Sequence, residues 1–425
     1  MTEQAEQKAF SIRGAMDAVG NIVDLHVARG VFVAEALEGS ELIEADGLVV
    51  LPGFVDIHTH LREPGFEASE TIASGTAAAV AGGYTAVCAM ANTDPVTDSV
   101  ERVESMRKLA RTSAHNEVFP IGSLTIDLAG QRLSPIAEMA ACGVRLFSDD
   151  GRCLMDPVLM RRALELSAAH NVVIAQHSQD HRLAPADACA DERSIAGELG
   201  LPGWPWAAES SIIARDVQLA ELTGGHLHVC HLSTAESVEV VRWAKARGVD
   251  VTAEATPHHM LLTSDLLRSG STDYKVNPPL RSAEDVEAVR AGLVDRTIDL
   301  VGTDHAPHEA QFKDLPFPQA KPGMTALEQA LSSLMESLLL PGRIDWTDVT
   351  RIMSTAPAHR GQVPGQGLGL GVGSPANLVL VHPARRRVVN RDDSASAGRN
   401  NPYHGMDLPD PIELTMGAGR ILYRR

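Results

Sequence analysis

The chain has 425 residues, of which 44% are hydrophobic and 22% are charged, a composition typical of a globular protein with ample material for a core. Its 37 lysines and arginines against 55 aspartates and glutamates leave a formal net charge of −18, which argues against nucleic acid or an anionic membrane as a partner. No apolar run approaches the roughly 20 residues that span a bilayer, and the N-terminus lacks the features of a signal peptide. Five scattered cysteines without CxxC spacing predict reduced thiols and a cytoplasmic location.

Between residues 53 and 363, short apolar runs alternate with stretches rich in Ala, Leu and Glu, the pattern of parallel strands that are each followed by a helix. Several helical stretches end at glycine, for example at Gly143 and Gly248, as helix C-termini commonly do. Eight alternations predict a (β/α)8 barrel of the TIM type. The predicted strands are 55–60, 85–91, 118–124, 144–148, 172–177, 226–232, 250–255 and 298–304.

Both ends of the chain have a different pattern, with short alternating segments separated by Gly, Pro and Asn and little helical periodicity. The simplest packing joins them into one small domain. We therefore predict a discontinuous β-sandwich domain from residues 1–52 and 364–425 beside a catalytic barrel at 53–363. Its predicted strands are 10–13, 22–27, 31–33, 376–381, 387–389, 412–415 and 420–423.

Candidate metal ligands stand at the ends of five predicted barrel strands. His58 and His60 are two residues apart on the first strand, so their imidazoles point to the same side. The carboxyl ends of barrel strands form the mouth where active sites lie, so ligands from several strands would meet there. The pair Asp149-Asp150 leaves the ligand after the fourth strand ambiguous by one residue. The six candidates are His58, His60, Asp150, His177, His231 and Asp304.

Charge arithmetic on these ligands suggests a site with two divalent ions. Two carboxylates and a bridging hydroxide carry three negative charges against the four positive charges of the ions. The remaining positive charge favours an anionic substrate. Imidazole and carboxylate ligands suit zinc and also admit cobalt or manganese. Such a pair of ions polarises a carbonyl and acidifies bound water, which predicts attack on an amide or ester.

Seven motifs together give the chain a resemblance to a known family. From about residue 45 to residue 380 it resembles the class I dihydroorotases of the amidohydrolase superfamily. The resemblance implies reversible interconversion of N-carbamoyl-L-aspartate and L-dihydroorotate in pyrimidine synthesis, with zinc as cofactor. The motifs are GFVDIHTHLREPG (53–65), AMANTDP (89–95), FSDDG (147–151), HVCHLST (228–234), TAEATPHH (252–259), YKVNPPLR (274–281) and TDHAPH (303–308).

The resemblance also implies a role for each ligand. His58 and His60 would hold one ion, His177 and His231 the other, and Asp150 would be shared by both. Asp304 would be a ligand and also the proton shuttle, acting as general base and then as general acid. Many relatives bridge their metals with a carboxylated lysine, but no lysine lies between Lys108 and Lys245, so Asp150 would take that place.

Substrate contacts follow from the same motifs. Arg62 offers a planar guanidinium that matches the substrate's carboxylate, and Asn92 and Asn277 offer amides that can both donate and accept hydrogen bonds. Many class I members read Pro-Phe-Gly where this chain has Lys321-Pro322-Gly323, followed by Met324, so a side-chain contact at Pro322 is in question while a backbone contact at Gly323 is retained. The proline-rich segment 308–322 is expected to be a mobile lid. The implied contacts are His60, Arg62, Asn92, Asn277, His308, Pro322 and Gly323.

Other polar residues near the motifs are given plainer roles. His226 and His228 are expected to be packed or solvent-facing, His305 to point away from the site, and Cys230 to fill the core. For His258 and His259 a supporting role and a substrate contact are both open. Asp149 is expected to cap a turn or brace its loop.

Two alternatives remain beside dihydroorotase activity. A hydantoinase, dihydropyrimidinase or allantoinase would use the same barrel, but Arg62 and Asn92 disfavour substrates without the matching carboxylate. A non-catalytic subunit that scaffolds aspartate transcarbamoylase should lack ligands, yet every expected ligand is present. A homodimer and an association with aspartate transcarbamoylase are possible partner arrangements.

Overall fold

A computed structural model describes residues 8–425 as a mixed α/β chain, with two parallel sheets, one larger sheet and two small two-stranded sheets. Its strands are Phe10–Met16, Ile22–Ala28, Val31–Val33, Glu41–Glu44, Val49–Pro52, Phe54–Thr59, Tyr84–Ala89, Glu117–Pro120, Leu146–Phe147, Val173–Gln176, Ala190–Asp191, Gly203–Trp204, His226–Val229, Val251–Ala255, Leu300–Val301, Leu378–Val381, Arg386–Val388, Asp407–Pro409, Ile412–Gly417 and Arg420–Arg424. Its α-helices are Ile72–Ala81, Val100–Ser113, Ile136–Ala141, Pro157–His170, Gly197–Leu199, Ala207–Thr223, Ala235–Ala246, Pro257–Leu261, Ala283–Val294, Ala310–Lys313, Ala330–Leu334, Trp346–Thr350 and Ala356–Arg360.

The two parallel sheets contain the eight strands that the sequence predicted between residues 53 and 363. One sheet has three strands, from Phe54–Thr59 to Glu117–Pro120, and the other has five, from Leu146–Phe147 to Leu300–Val301. Single parallel bridges link the sheets at both ends of this series, between Gly122 and Phe147 and between Thr59 and His305. The strands are shorter than predicted mainly at their carboxyl ends, because the chain turns there into the polar loops that carry the candidate ligands.

The helices between these strands begin and end where the sequence chemistry places such boundaries. Thr71, Ser99 and Thr234 each accept a backbone N–H with the side-chain hydroxyl at a helix N-terminus, which satisfies a donor that the helix itself leaves free. Gly143 and Gly248 follow helices with positive φ angles of 98° and 78°, a conformation that glycine adopts without strain. The helices Ala235–Ala246 and Ala283–Val294 lie between predicted strands, as the alternation requires.

Strands from both chain ends lie in one eight-stranded sheet. Val49–Pro52 pairs antiparallel with Leu378–Val381, which joins the N-terminal strands to the C-terminal ones. Side chains alternate across this sheet as a period of two requires. Val50 packs in an apolar cluster of the sheet itself, whereas Val49 and Leu51 pack against the core of the parallel sheets. The predicted segment 387–389 lies elsewhere, since Arg386–Val388 pairs with Asp407–Pro409 in a separate two-stranded sheet.

None of the helices within residues 8–425 combines the length and the hydrophobicity needed to cross a bilayer. All five cysteines are free, as their spacing predicted.

The buried carboxylate of Asp56 ties the first parallel strand to the last. Its Oδ1 accepts the backbone N–H groups of Thr303, at 3.0 Å, and of His58, at 3.1 Å. Its Oδ2 accepts the hydroxyls of Thr303 and Thr59. Two donors from the first parallel strand and two from Thr303, just after the last, therefore converge on a fully buried acid, so this contact fixes the edge at which His58 and Asp304 approach each other.

We expect Asp56→Ala to lower the free energy of unfolding by about 3 kcal/mol, because it leaves buried backbone and hydroxyl donors without an acceptor. Urea unfolding in the presence of a chelator measures this loss without a contribution from bound metal. The exposed Asp187 offers a matched control, and Asp187→Ala should change the stability by less than about 0.5 kcal/mol. Equal losses in the two variants would contradict the role given to Asp56.

Candidate active site

The six predicted metal ligands meet at the carboxyl ends of the parallel strands. His58 lies within Phe54–Thr59, while the others follow the ends of their strands. All six are buried, with at most 5% of each residue exposed. They form two groups that could each hold an ion, and Asp150 belongs to both. The first group is His58, His60, Asp150 and Asp304, and the second is Asp150, His177 and His231.

The distances within these groups fit metal coordination. Two ligand atoms at about 2.0–2.1 Å from a tetrahedral ion are about 3.3 Å apart. Asp150 Oδ1 lies 3.3 Å from His58 Nε2 and 3.4 Å from His231 Nε2. Asp150 Oδ2 lies 3.2 Å from His60 Nε2, and Asp304 Oδ1 lies 3.1 Å from the same nitrogen.

Two unsatisfied atoms support the same interpretation. Within the described part of the chain, His58 Nε2 and Asp150 Oδ1 are buried and have no hydrogen-bond partner. A buried polar atom without a partner carries a desolvation cost that native proteins rarely leave uncompensated. Because one is a ring nitrogen and the other a carboxylate oxygen, a cation between them would satisfy both. The residues present therefore fit a metal cofactor.

Backbone strain accompanies several of these side chains. His231, Asp304 and Arg62 have positive φ angles of 33°, 44° and 61°, which are unfavourable for residues other than glycine. Each follows its strand directly or within a few residues, where the chain must turn sharply to aim the side chain at the cavity. Strain of this kind persists only where the surrounding structure enforces it.

Glu254 is a functional residue that the sequence analysis missed. It is fully buried on the strand Val251–Ala255 and accepts a hydrogen bond from His58 Nδ1, which directs Nε2 toward the ligand group. It also accepts His228 Nε2–H at 3.1 Å and the backbone N–H of His231 at 3.1 Å. Burial alone would raise the pKa of Glu254, but the charge of His58 and the bonds from both rings hold it well below its usual range.

Two amides orient further ligands. Asn92 Oδ1 lies 2.9 Å from His60 Nδ1, which leaves Nε2 of that ring facing the two aspartates. Gln179 Oε1 lies 3.0 Å from His177 Nε2, so Nδ1 of His177 faces Asp150. The family motifs implied only a substrate contact for Asn92, whereas the structure adds this supporting contact. Outer partners of this type fix the orientation of a metal-binding ring.

A cavity of about 230 Å³ opens beside the ligand groups. It is lined by every residue that the sequence analysis assigned to substrate: His60, Arg62, Asn92, Asn277, His308, Pro322 and Gly323. A larger cavity, about 580 Å³, lies at the opposite ends of the strands. Its charged residues include Asp250, which pairs with Arg360 and His226, and the candidate ligands lie elsewhere.

The substrate-side residues are held by the loops after the last parallel strand. Arg62 Nε donates to the carbonyl of Pro307 at 3.2 Å, and burial lowers the pKa of Arg62 to about 10, so its side chain stays cationic at neutral pH. Burial and the nearby charge of Arg62 lower the pKa of His308 to about 2, so its ring is neutral. His308 Nε2 donates to the carbonyl of Pro322 at 2.8 Å. The Gly323 N–H is already used, since it donates to Lys275 O at 2.9 Å.

The segment 308–322 contains one short helix, Ala310–Lys313, although its sequence lacks helical periodicity. Lys313 from this helix is buried and donates to the carbonyls of Lys275, Lys321 and Gly323 at 3.0–3.3 Å. Burial lowers the pKa of this lysine to about 7. These three bonds hold the segment against the cavity wall. Its mobility stays a prediction.

The plainer predictions for neighbouring residues can be compared with the structure. Asp149 accepts the N–H and hydroxyl of Thr125 and so braces its loop, as expected. His305 contacts Glu70 at 3.2 Å and faces away from the ligands, also as expected. His226 and His228 are paired with Asp250 and Glu254.

The three other residues with predicted plainer roles, His258, His259 and Cys230, are buried. His259 contacts the carbonyl of Pro278, a supporting role, whereas both ring nitrogens of His258 lack hydrogen-bond partners within the described residues. Burial lowers the pKa of His258 to about 4, so that ring is neutral. Cys230, expected to be core filler, is close enough to His58 and Glu254 to form a third potential ligand group, but burial raises its pKa to about 12 and keeps it a thiol.

Comparison with known sequences identifies the family. The family described as Dihydro-orotase-like matches residues 47–237. The dihydroorotase of Leifsonia xyli subsp. xyli is 50% identical, over 97% of this chain and 95% of its own length. This chain belongs to the dihydroorotase family. The dihydroorotase of Streptomyces coelicolor is 51% identical over 96% of this chain and 97% of its own, and that of Mycobacterium tuberculosis is 46% identical over 91% and 90%.

Solved structures show which fold this family member shares. The L-hydantoinase (dihydropyrimidinase) from Arthrobacter aurescens superposes with a TM-score of 0.87 at 22% identity, covering 98% of this chain and 96% of its own. A D-hydantoinase from Thermus sp. gives 0.84 at 24% identity, covering 98% and 95%. At this identity the likeness concerns the fold alone. The fold is that of the hydantoinases.

We expect Glu254→Gln to weaken metal binding by about 10- to 100-fold, because the amide carries no charge and offers a single acceptor for the ring of His58 and its neighbours. Metal dissociation constants of the chelator-treated protein, measured by competition with a chromophoric chelator, test this directly.

Glu209 provides the matched control for that experiment. It is equally buried, but it accepts from Ser233 and Thr234 and contacts none of the ligand rings. Glu209→Gln should bind metal as the unmodified chain does. Unchanged affinity in Glu254→Gln would remove Glu254 from the support of the site.

Proposed function

We propose that this chain is a dihydroorotase that interconverts N-carbamoyl-L-aspartate and L-dihydroorotate in pyrimidine synthesis. The observation that carries the proposal is the position of Arg62, which lines the cavity that also exposes the ligand groups. A guanidinium pairs bidentately with a carboxylate, and both proposed substrates carry one. Two dihydroorotases are 50% and 51% identical to this chain over nearly its whole length, and this family membership supports the same activity.

The proposed architecture is a closed (β/α)8 barrel with a small β-sandwich domain. The bridges between Gly122 and Phe147 and between Thr59 and His305 support closure, because they join the two parallel sheets into one series of eight strands. For the small domain, Phe32 and Met416 belong to one apolar cluster, although four strands lie between the strand of Phe32 and the strand of Met416 in the sheet. The sheet must therefore bend until its two ends face each other across that cluster, which supports a sandwich.

The proposed cofactor is a pair of zinc ions, with cobalt or manganese as possible substitutes. The presence of Asp150 in both ligand groups supports a pair, since one carboxylate can serve two ions. Four imidazoles with two carboxylates are a ligand set that suits zinc. When bound, such ions polarise an amide carbonyl and lower the pKa of water toward neutrality.

The chain's own groups would then move the proton and hold the substrate. Burial raises the pKa of Asp304, but the hydrogen bond from His60 and the charges of His58 and His60 outweigh it and lower the pKa to about 2. Asp304 is therefore a carboxylate at neutral pH and can accept the proton of the attacking water, then return it to the departing ring nitrogen. Arg62 would pair with the carboxylate, while Asn277, whose buried Oδ1 lacks a partner within residues 8–425, would accept an N–H of the ureido group.

A hydantoinase or dihydropyrimidinase activity is the second candidate, because the fold is shared with those enzymes. Asp150 in the shared position, with no lysine between Lys108 and Lys245, favours dihydroorotase. The test is turnover by metal-replete protein of L-dihydroorotate, hydantoin and allantoin, followed by loss of absorbance. We expect L-dihydroorotate to be turned over at least about 100-fold more efficiently, a difference of about 2.7 kcal/mol in transition-state binding. Comparable turnover of hydantoin would overturn the assignment.

Asp304→Asn should abolish turnover, because an amide cannot accept the proton, while L-dihydroorotate still binds. Isothermal titration with L-dihydroorotate separates the two effects. Substantial turnover by this variant would refute the shuttle role, and lost binding would show that Asp304 acts mainly through the shape of the site.

Arg62→Met should raise the KM for L-dihydroorotate by about 100-fold, since the charge-assisted bonds to the carboxylate, worth about 1.5–3 kcal/mol, are lost. The exposed Arg111, in the helix Val100–Ser113, serves as control, and Arg111→Met should leave KM unchanged. An unchanged KM in Arg62→Met would place the carboxylate elsewhere.

We propose a cytoplasmic enzyme, with a homodimer or an association with aspartate transcarbamoylase as its possible assemblies. Sedimentation of the chain alone and mixed with that enzyme distinguishes these states.

A further inference from the structure

A segment from the C-terminal part of the chain reaches the cavity wall. Residues 394–401 are part of the connection between the strands Arg386–Val388 and Asp407–Pro409 and lie against the loop after the last parallel strand. The approach is close, because a Cβ built on Gly398 would lie only 2.5 Å from Cβ of Pro307. The sequence placed this segment in the small β domain, so its contact with the site was not expected.

Asn400 makes the central contact of this segment. It is only 2% exposed. Its Oδ1 accepts the backbone N–H of His308 at 3.0 Å, and its Nδ2 donates to the carbonyls of Ala306 at 3.0 Å and Gly323 at 2.9 Å. Its own carbonyl accepts the N–H of Thr325 at 3.0 Å. One side chain therefore satisfies three backbone groups in two separate loops.

Those two loops carry substrate-side residues. Ala306, His308 and Gly323 all line the cavity. Pro307, between the two residues that Asn400 holds, gives its carbonyl to Arg62 Nε. The loops are packed so closely that a Cβ on Gly323, which has a φ of 147°, would lie 2.7 Å from the carbonyl oxygen of Ala306.

We propose that Asn400 is a positioning residue for substrate binding. By fixing the backbone at 306–308 against Gly323, it sets the place of the Pro307 carbonyl and, through it, the guanidinium of Arg62. The site demands one acceptor and two donors on a short side chain, which an asparagine amide supplies and an aspartate or alanine does not. The role rests on the proposed function, because it assumes that Arg62 binds the substrate's carboxylate.

Asn400→Asp is the sharpest test, since it keeps the shape but turns a carboxylate oxygen toward the carbonyls of Ala306 and Gly323. We expect the KM for L-dihydroorotate to rise about tenfold, with kcat changed less than about threefold and metal content unchanged, because the chemistry of the ligand groups is untouched. Should this variant fail to fold, Asn400→Ser removes only part of the contacts and should give an intermediate KM. A wild-type KM in a folded Asn400 variant would overturn the proposal.

The neighbouring Asn401 is a matched control. It is equally buried, but its amide donates to Gln329 at 3.0 Å and accepts the N–H of Tyr403, away from the cavity. Asn401→Asp should lower the melting temperature and leave KM as it is. An equal rise of KM in both variants would mean that Asn400 is merely structural.

A double-mutant cycle separates this proposal from the proposed function. If Asn400 acts through Arg62, Asn400→Asp should add little to the KM of Arg62→Met, whereas fully additive effects would overturn the link. Inactivity of the unmodified, metal-replete chain toward L-dihydroorotate would instead refute the proposed function. In that case calorimetric binding of L-dihydroorotate still decides the positioning role, since equal affinities of the unmodified chain and Asn400→Asp would refute it.

Discussion

The convergence of four imidazoles and two carboxylates in a space nearly closed to water is the constraint on which the rest of the structure depends. Each of the six residues is at most 5% exposed, and atoms such as His58 Nε2 and Asp150 Oδ1 find no partner within the described chain. Buried groups of this kind are tolerable only where a charge compensates them. The burial of the cluster is therefore as strong an argument for a bound cation as the sequence motifs are. The surrounding contacts hold the cluster in place.

Those contacts form a layer of paired acids and amides around the ligands. Asp56 fixes the strand edge that carries His58, Glu254 turns the ring of His58, and Asn92 turns that of His60. Because the rings of His58, His60 and His177 each have one nitrogen committed to such a partner, the other nitrogen is directed inward without a choice of tautomer. The strained backbone at His231 and Asp304 belongs to the same arrangement, since the ligand loops turn sharply over a rigid strand end.

The sequence was most informative where chemistry repeats with the period of the secondary structure. The alternation of apolar runs with helical stretches predicted the eight parallel strands, and the spacing of His58 and His60 with the polar residues at strand ends predicted the candidate ligands. The division of these ligands into two groups that share Asp150 was implied by the family resemblance. Glu254 escaped because it lies inside an apolar strand, where its pairing with His58, 196 residues away, leaves no local signal. Asn400 escaped for a related reason, since its loop looked like an ordinary connection and only the tertiary structure brings it to Gly323.

The ligands stand at strand ends and the substrate-side residues on loops, and this separation explains how dihydroorotases and hydantoinases can share one fold. This chain superposes on hydantoinases with TM-scores of about 0.85 at only 22% identity, so the backbone framework tolerates replacement of most side chains. The ligands project from strand ends, whose positions the sheets fix, whereas Arg62, His308 and Gly323 lie on loops whose course depends on contacts with the C-terminal segment. Loops can change without disturbing a packed sheet. Selection for a new substrate would therefore act first on these loops and on the residues, such as Asn400, that hold them.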